Sequence, residues 1–189
     1  GHDGSYSAEA IVRTANADLA NSFGNLAQRS LSMIFKNLDG DVSSDYQEAP
    51  EDAALLADVL VMARDRLPRA FGDLAFSVGI EDWLRAVFAC NQYVDTQAPW
   101  ALRKTDPERM RAVLMTLFQA VRALAIAIRP VVPASADRLL DQMGVAARDS
   151  AALADDGWFA ALAASGFAVG QPVPIFPRLD LPEGEEAAA

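Results

Sequence analysis

The stretch that most restricts how this chain can fold is "TDPERMRAVLMTLFQAVRALAIAIRPVVP". Asp106 suits an N-cap, Pro107 the first helical position and Glu108 the positive end of a helix dipole, so a helix starts there. "RPVVP" ends it near Ile128, because proline lacks the N–H a helix needs and clashes with the preceding turn. Its densest apolar part carries Arg122 and Arg129. No run of about 18 apolar residues is free of charge, so the segment reads as a helix buried in protein, not a membrane span.

Helical patterns surround it. Across residues 8–36, Leu19, Phe23, Leu26, Ser30 and Met33 fall at spacings of four and three, one long amphipathic stripe. Gly24 interrupts this helix at a cost of about 1 kcal/mol relative to Ala, and close packing against a crossing helix accounts for it. "KNLDGDVSSDYQEAPED" is a loop with Asp-Gly as its turn. A helix follows from Pro50, with Glu51 and Asp52 suiting its dipole, until Pro68 kinks or ends it. Another spans about 78–97 with Ser77 as N-cap, and one over 134–143 closes at Gly144. "GWFAALAASG" forms one short helix. "GQPVPIFPRLDLPEGEEAAA" is extended, a proline-rich strap on the surface with a disordered end. The expected fold is all-α, a bundle of about five main helices over residues 1–170, followed by a strap and tail over 171–189.

Little chemistry fits this residue set. The chain has one Cys and one His, and His2 stands at a frayed start, so zinc-ligand spacing and a histidine-based catalytic pair are both absent. No glycine-rich phosphate loop occurs, and no catalytic residue, metal or cofactor is expected. "GHDGSYS" is no signal peptide, and a lone Cys90 fits a reducing, cytoplasmic setting. A net charge of −10 argues against nucleic acid, but residues 37–60 hold seven acids and no base, and residues 149–189 seven acids and one base. The helical body is near neutral.

Asn25 and Arg29 stand four apart, on one face of a helix. A planar guanidinium beside a carboxamide suits the polar edges of bases, although such pairs also line many solvated faces. In "NQYVDTQAPW" a helix stops at Ala98-Pro99 and presents Trp100 just beyond its end. Trp100 either seals the end of the bundle or offers a stacking surface, with Arg103 and Lys104 adding positive charge beside it. Trp83 and Trp158, in apolar surroundings, belong to the core. Spacing alone leaves Trp100 open.

"DGSYSAEAIVRTANADLANSFGNLAQRSLSMI", "NQYVDTQAPWALRKTD", "VVPASADRLLDQMGV" and "GQPVPIFPRLDL" closely resemble, in order, the anticodon-binding helical domain of bacterial methionyl-tRNA synthetase. The resemblance covers nearly all of residues 3–182. It implies that Asn25, Arg29 and Trp100 meet where the CAU anticodon of methionine tRNA is read. Trp100 would stack under the first anticodon base, and Asn25 and Arg29 would bond base edges. Arg103 and Lys104 would reach phosphate or backbone. The family's catalytic domain, with its two ATP signatures, is not among these residues, so ATP and methionine activation belong to the parent enzyme and this fragment is expected to be inactive. Gln92 stands where many relatives carry Arg. No dimerisation extension follows the strap, and a monomer that binds tRNA weakly is expected. The competing readings are a helical protein-interaction module and the anticodon domain of another class I synthetase, against which "APW" speaks.

Overall fold

The computed structural model describes residues 7–155 and 157–181; His2 and the end of the tail, expected to be frayed and disordered, lie outside them. The helices run in order as α1 (Ala8–Thr14), a wide-turned segment Ala15–Gly24, α2 (Asn25–Asn37), α3 (Pro50–Val61), a second wide segment Met62–Arg66, and α4 (Leu67–Gly72). Then come α5 (Phe76–Gln97), α6 (Pro99–Thr105), α7 (Pro107–Ile128), α8 (Pro133–Gln142), a short 3₁₀ turn Ser150–Ala154 and α9 (Trp158–Ala164). The first three form one unbroken helical path over 8–37, and the next three another over 50–72. With α5, α7 and α8 these make five main helices. One isolated antiparallel bridge joins Asp41 to Ala168, and no strand occurs among the described residues.

Helix α7 is the axis. Asp106 caps it, its carboxylate accepting from the Arg109 N–H at 3.0 Å, and 17 of its 22 residues are buried. By length and hydropathy α7 passes the test for a membrane span, yet 83% of its apolar window is covered by the rest of the bundle. Helices α2, α3, α5, α6 and α8 all pack on it. A helix apolar on every side is stable in water only when enclosed in this way. The indole of Trp83, 1% exposed, donates to the α7 carbonyl of Leu124 at 3.1 Å, so Trp83 is core as expected. Trp158 is half-buried against Phe118, with the Arg122 guanidinium stacked 3.6 Å from its ring. Arg122 gives an N–H to the Ala152 carbonyl at 2.7 Å, and burial lowers its pKa to about 10.

The stripe read over 8–36 is the buried one: Phe23, Leu26 and Ser30 are enclosed, and Leu19 and Met33 are half-buried. The wide turns at 15–24 have no counterpart in that pattern. The Gly24 reading needs correction, because the group that approaches is the strap and not a crossing helix. A Cβ there would sit 2.9 Å from the Leu19 carbonyl oxygen and 3.4 Å from the Phe176 ring. Pro68 acts through its missing donor and its clash with the turn before it. Over Met62–Arg66 the helix widens until the Leu67 N–H reaches Met62, five residues back, and it then continues to Gly72. Ser77 is not the N-cap of α5. Leu74 adopts a left-handed φ of 57°, the Ala75 N–H closes α4 on Ala70, and α5 begins at once at Phe76.

The strap lies across the bundle as expected, and side-chain amides hold it there. Asn16 exchanges both hydrogen bonds with the Leu179 backbone, at 2.8 and 2.9 Å, as a neighbouring strand would. Gln142 does the same with Val173 at 2.8 and 3.2 Å. Gln28 donates to the Pro172 carbonyl and Arg138 to that of Ile175, whose side chain is buried in the core.

One ionic contact fixes α3, α5 and α7 together. Asp52, wholly buried, accepts from both terminal nitrogens of Arg109, from the Tyr93 hydroxyl at 2.5 Å and from the Ala49 N–H at 3.0 Å. Burial pushes the Asp52 carboxyl up, but the bonds from Arg109, Tyr93 and Ala49 together outweigh it and hold the pKa below the ordinary value. Asp52→Asn should destabilise the fold by about 3 kcal/mol at neutral pH, since it takes from the half-buried Arg109 its buried counter-charge and leaves only the longer contact to the exposed Glu51 carboxylate, at 3.2 Å. A carboxyl whose folded pKa is lowered stabilises above its unfolded value and loses that contribution as pH falls through the folded one. In urea melts the gap between wild type and Asp52→Asn should therefore narrow below about pH 4.

Candidate nucleic-acid interface

The turn between α5 and α6 is built by local chemistry. Proline at 99 removes an N–H and so ends α5, and Ala98 takes a left-handed φ of 42°. Its N–H closes α5 on the Val94 carbonyl at 2.9 Å, and its own carbonyl accepts from Ala101 at 2.8 Å to open α6. That conformation costs a non-glycine residue of order 1 kcal/mol, so neighbours must hold it. Gln97 does so: its side-chain amide oxygen accepts from Arg109 at 2.8 Å, and Arg109 is itself anchored on Asp52. Pro99 is buried, while Trp100, 53% exposed, sits in the first turn of α6 and faces outward. The sequence reading placed it beyond a helix end, and the short helix carrying it is an addition.

Arg29, on α2, places its guanidinium 5.7 Å from the Trp100 ring centre, within cation–π range. It also donates to Asp95 of α5 at 3.3 Å, so an acid and an aromatic face orient it from different sides. Asn25, exposed and one turn earlier on α2, lines a cavity of about 380 Å³ between the helix and the strap. The structure thus brings Arg29 onto Trp100 and leaves Asn25 one helical turn away on the same face. Arg103 and Lys104 are exposed three and four residues after Trp100, which on a helix is the same side.

Asp95, Gln97, Tyr93 and Arg109 support this site, and spacing alone did not single them out. Three of them lie inside "NQYVDTQAPW", so the signal lay in the block already noted for Trp100. Cys90 is wholly buried, and burial, with the Asp58 charge adding, pushes its thiol up to about 12, which removes it as a nucleophile at neutral pH. Among the described residues no three His, Cys, Asp or Glu side chains gather as a metal site would require.

Residues 42–186 match a family model described as the anticodon binding domain of methionyl tRNA ligase. The chain belongs to that family. It is 44% identical over 182 residues to a methionine–tRNA ligase of Brucella melitensis, an alignment covering 94% of this chain and 34% of the relative. To the Mycobacterium tuberculosis enzyme it is 40% identical, over 98% of this chain and 36% of that one. The apo crystal structure of M. tuberculosis methionyl-tRNA synthetase superposes with a TM-score of 0.84 at 39% identity, covering 96% of this chain and 36% of that chain. A methionyl-adenylate-bound form of that synthetase gives 0.82. The chain therefore spans about a third of the relatives it matches. Within this methionyl-tRNA ligase domain the family match takes in Trp100, Arg103 and Lys104. Asn25 and Arg29 precede it and fall in the longer similarity to the whole relatives.

Gln97→Ala should free the Ala98–Trp100 turn. We expect the Trp100 indole N–H resonance to shift and broaden, those of Trp83 and Trp158 to stay in place, and stability to fall by about 1.5 kcal/mol, as for a hydrogen bond to a charged group.

Proposed function

We propose that this chain reads the CAU anticodon of methionine tRNA for a methionine–tRNA ligase whose catalytic part lies in the remaining two-thirds that its relatives possess. The observation that carries this reading is the exposed Trp100 ring with the Arg29 guanidinium beside it. An aromatic left in water and held by its backbone is a poor core residue and a ready platform for an unpaired base. Trp100 stacks under the first anticodon base. Arg29, steadied by Asp95, turns its remaining N–H groups to base-edge acceptors, while Asn25 offers a donor and an acceptor one turn away. Arg103 and Lys104 contact the phosphate chain. Residues 1–170 act as the reading unit, and the strap from 171 braces it.

ATP use and methionine activation belong to the parent enzyme, since no phosphate-binding loop occurs in these residues. The parent acts as a cytoplasmic ligase, with methionine tRNA and its own catalytic domain as partners and without a second copy of this chain. The acids gathered in residues 37–60 and 149–189 keep phosphate attraction low, so affinity for the isolated anticodon arm rests on stacking and edge contacts.

In titrations of a labelled CAU stem-loop, Trp100→Ala should lose about 1–3 kcal/mol of binding, the worth of base–aromatic stacking. Arg29→Gln should lose preference for CAU over altered anticodons by about 1–3 kcal/mol per base. Unchanged binding in both variants would remove the assignment.

A further inference from the structure

Arg122 carries a charge that the fold leaves without a carboxylate. Its side chain is 3% exposed, and burial lowers its pKa only to about 10, so it stays a cation at neutral pH. The Trp158 ring covers one face of the guanidinium, and the Ala152 carbonyl takes one N–H. Among the described residues no carboxylate comes within ion-pair distance of it, and its buried Nε–H meets no acceptor. Burying an unsatisfied donor on a cation is costly, so such a group calls for a partner. The same side chain lines a cavity of about 160 Å³ between α3, α7 and the start of α9. Leu56, Leu60 and Leu153 form its apolar wall, and the exposed Arg64 and Asp155 stand at its mouth. Arg64 donates to the Leu153 carbonyl, and its charge adds to that of Arg122. Asp155, whose carboxylate accepts from the Gly157 N–H at 2.9 Å, is the one acid on the described lining. Arg122 lies about 20 Å further along α7 than Arg109, so this cavity is separate from the Trp100 platform.

The geometry points to a binding site for a small aliphatic carboxylate, with its oxygens on Arg122 and its hydrocarbon against the three leucines. A carboxylate matches the planar donor set of a guanidinium better than a round ion does. A bare inorganic oxyanion would face the leucine wall with nothing to bury there. A short hydrocarbon takes that wall out of water at about 25 cal/mol per Å². The cavity holds about five water volumes, which sets the ligand at about the size of butyrate. Simple acids and α-amino acids share this chemistry, and an α-ammonium group would meet Asp155 at the mouth. The site does not depend on the anticodon reading.

The test titrates the isotope-labelled chain with butyrate, α-aminobutyrate and inorganic phosphate at matched ionic strength. With either carboxylate the Arg122 Nε–H and Trp158 indole N–H resonances should move saturably, with a dissociation constant on the order of millimolar, while those of Trp83 and Trp100 stay in place. The melting temperature should rise with ligand, since only the folded state holds the site. Leu60→Phe, which fills the apolar end and keeps Arg122, should weaken binding about tenfold. Arg122→Gln should abolish the Trp158 response. Far-UV circular dichroism checks that each variant is folded, and Leu60→Phe carries the test where Arg122→Gln is not. A tighter response to α-aminobutyrate than to butyrate identifies an amino acid as the ligand, and the reverse a simple acid. A response to phosphate alone overturns the site, as does one that Leu60→Phe leaves intact. So does an Nε–H that none of the three ligands moves because it is bonded to water.

Discussion

The rest of the structure depends on the enclosure of α7. A 22-residue helix with 17 buried positions has no face to turn to water, so its neighbours are placed by the need to cover it. The hydrophobic term is non-directional and does not by itself set which helix lies where. The directional contribution comes at the α7 start, where Arg109 meets the buried Asp52 of α3 and, through it, Tyr93 of α5. A buried ion pair is weak evidence for net stability, but removing one partner is costly, so it selects one arrangement of the three helices over others.

The same contact reaches the surface. Arg109 also holds Gln97, the last residue of α5, and Ala98 then turns left-handed so that buried Pro99 can start α6 with Trp100 facing out. From the other side Asp95 holds Arg29 near the Trp100 ring. The side chains assigned to RNA are thus supported by a scaffold whose order is fixed before any ligand arrives. Such preorganisation lowers the ordering cost of binding, which matters for a domain with a net charge of −10 and little phosphate attraction to add.

Local signals in the sequence translated well into structure. Asp106–Pro107 starts α7, Pro50 starts α3, and Gly144 follows α8 with a φ of 66°, because caps and prolines act within a few residues. What depended on distant partners was not legible. The wide turns at 15–24 and 62–66 do not alter hydrophobic spacing enough to be seen. Asp52 looked like a dipole residue because its partners lie 41 and 57 positions away. Leu74 in a left-handed turn displaced the expected cap at Ser77. For the site, helix spacing paired Asn25 with Arg29, but bringing Trp100 to Arg29 across 71 positions of sequence required the family resemblance. The supporting Gln97 and Asp95 needed coordinates.

The most direct test of the central claim is the affinity of this chain for a CAU stem-loop against one differing only in the first anticodon base, at matched ionic strength. The account predicts tighter binding to CAU by about 1–3 kcal/mol, a gap that persists as salt rises because it arises from base contacts and not from phosphates. Equal affinity for the two loops, or a difference that disappears with salt, would contradict it.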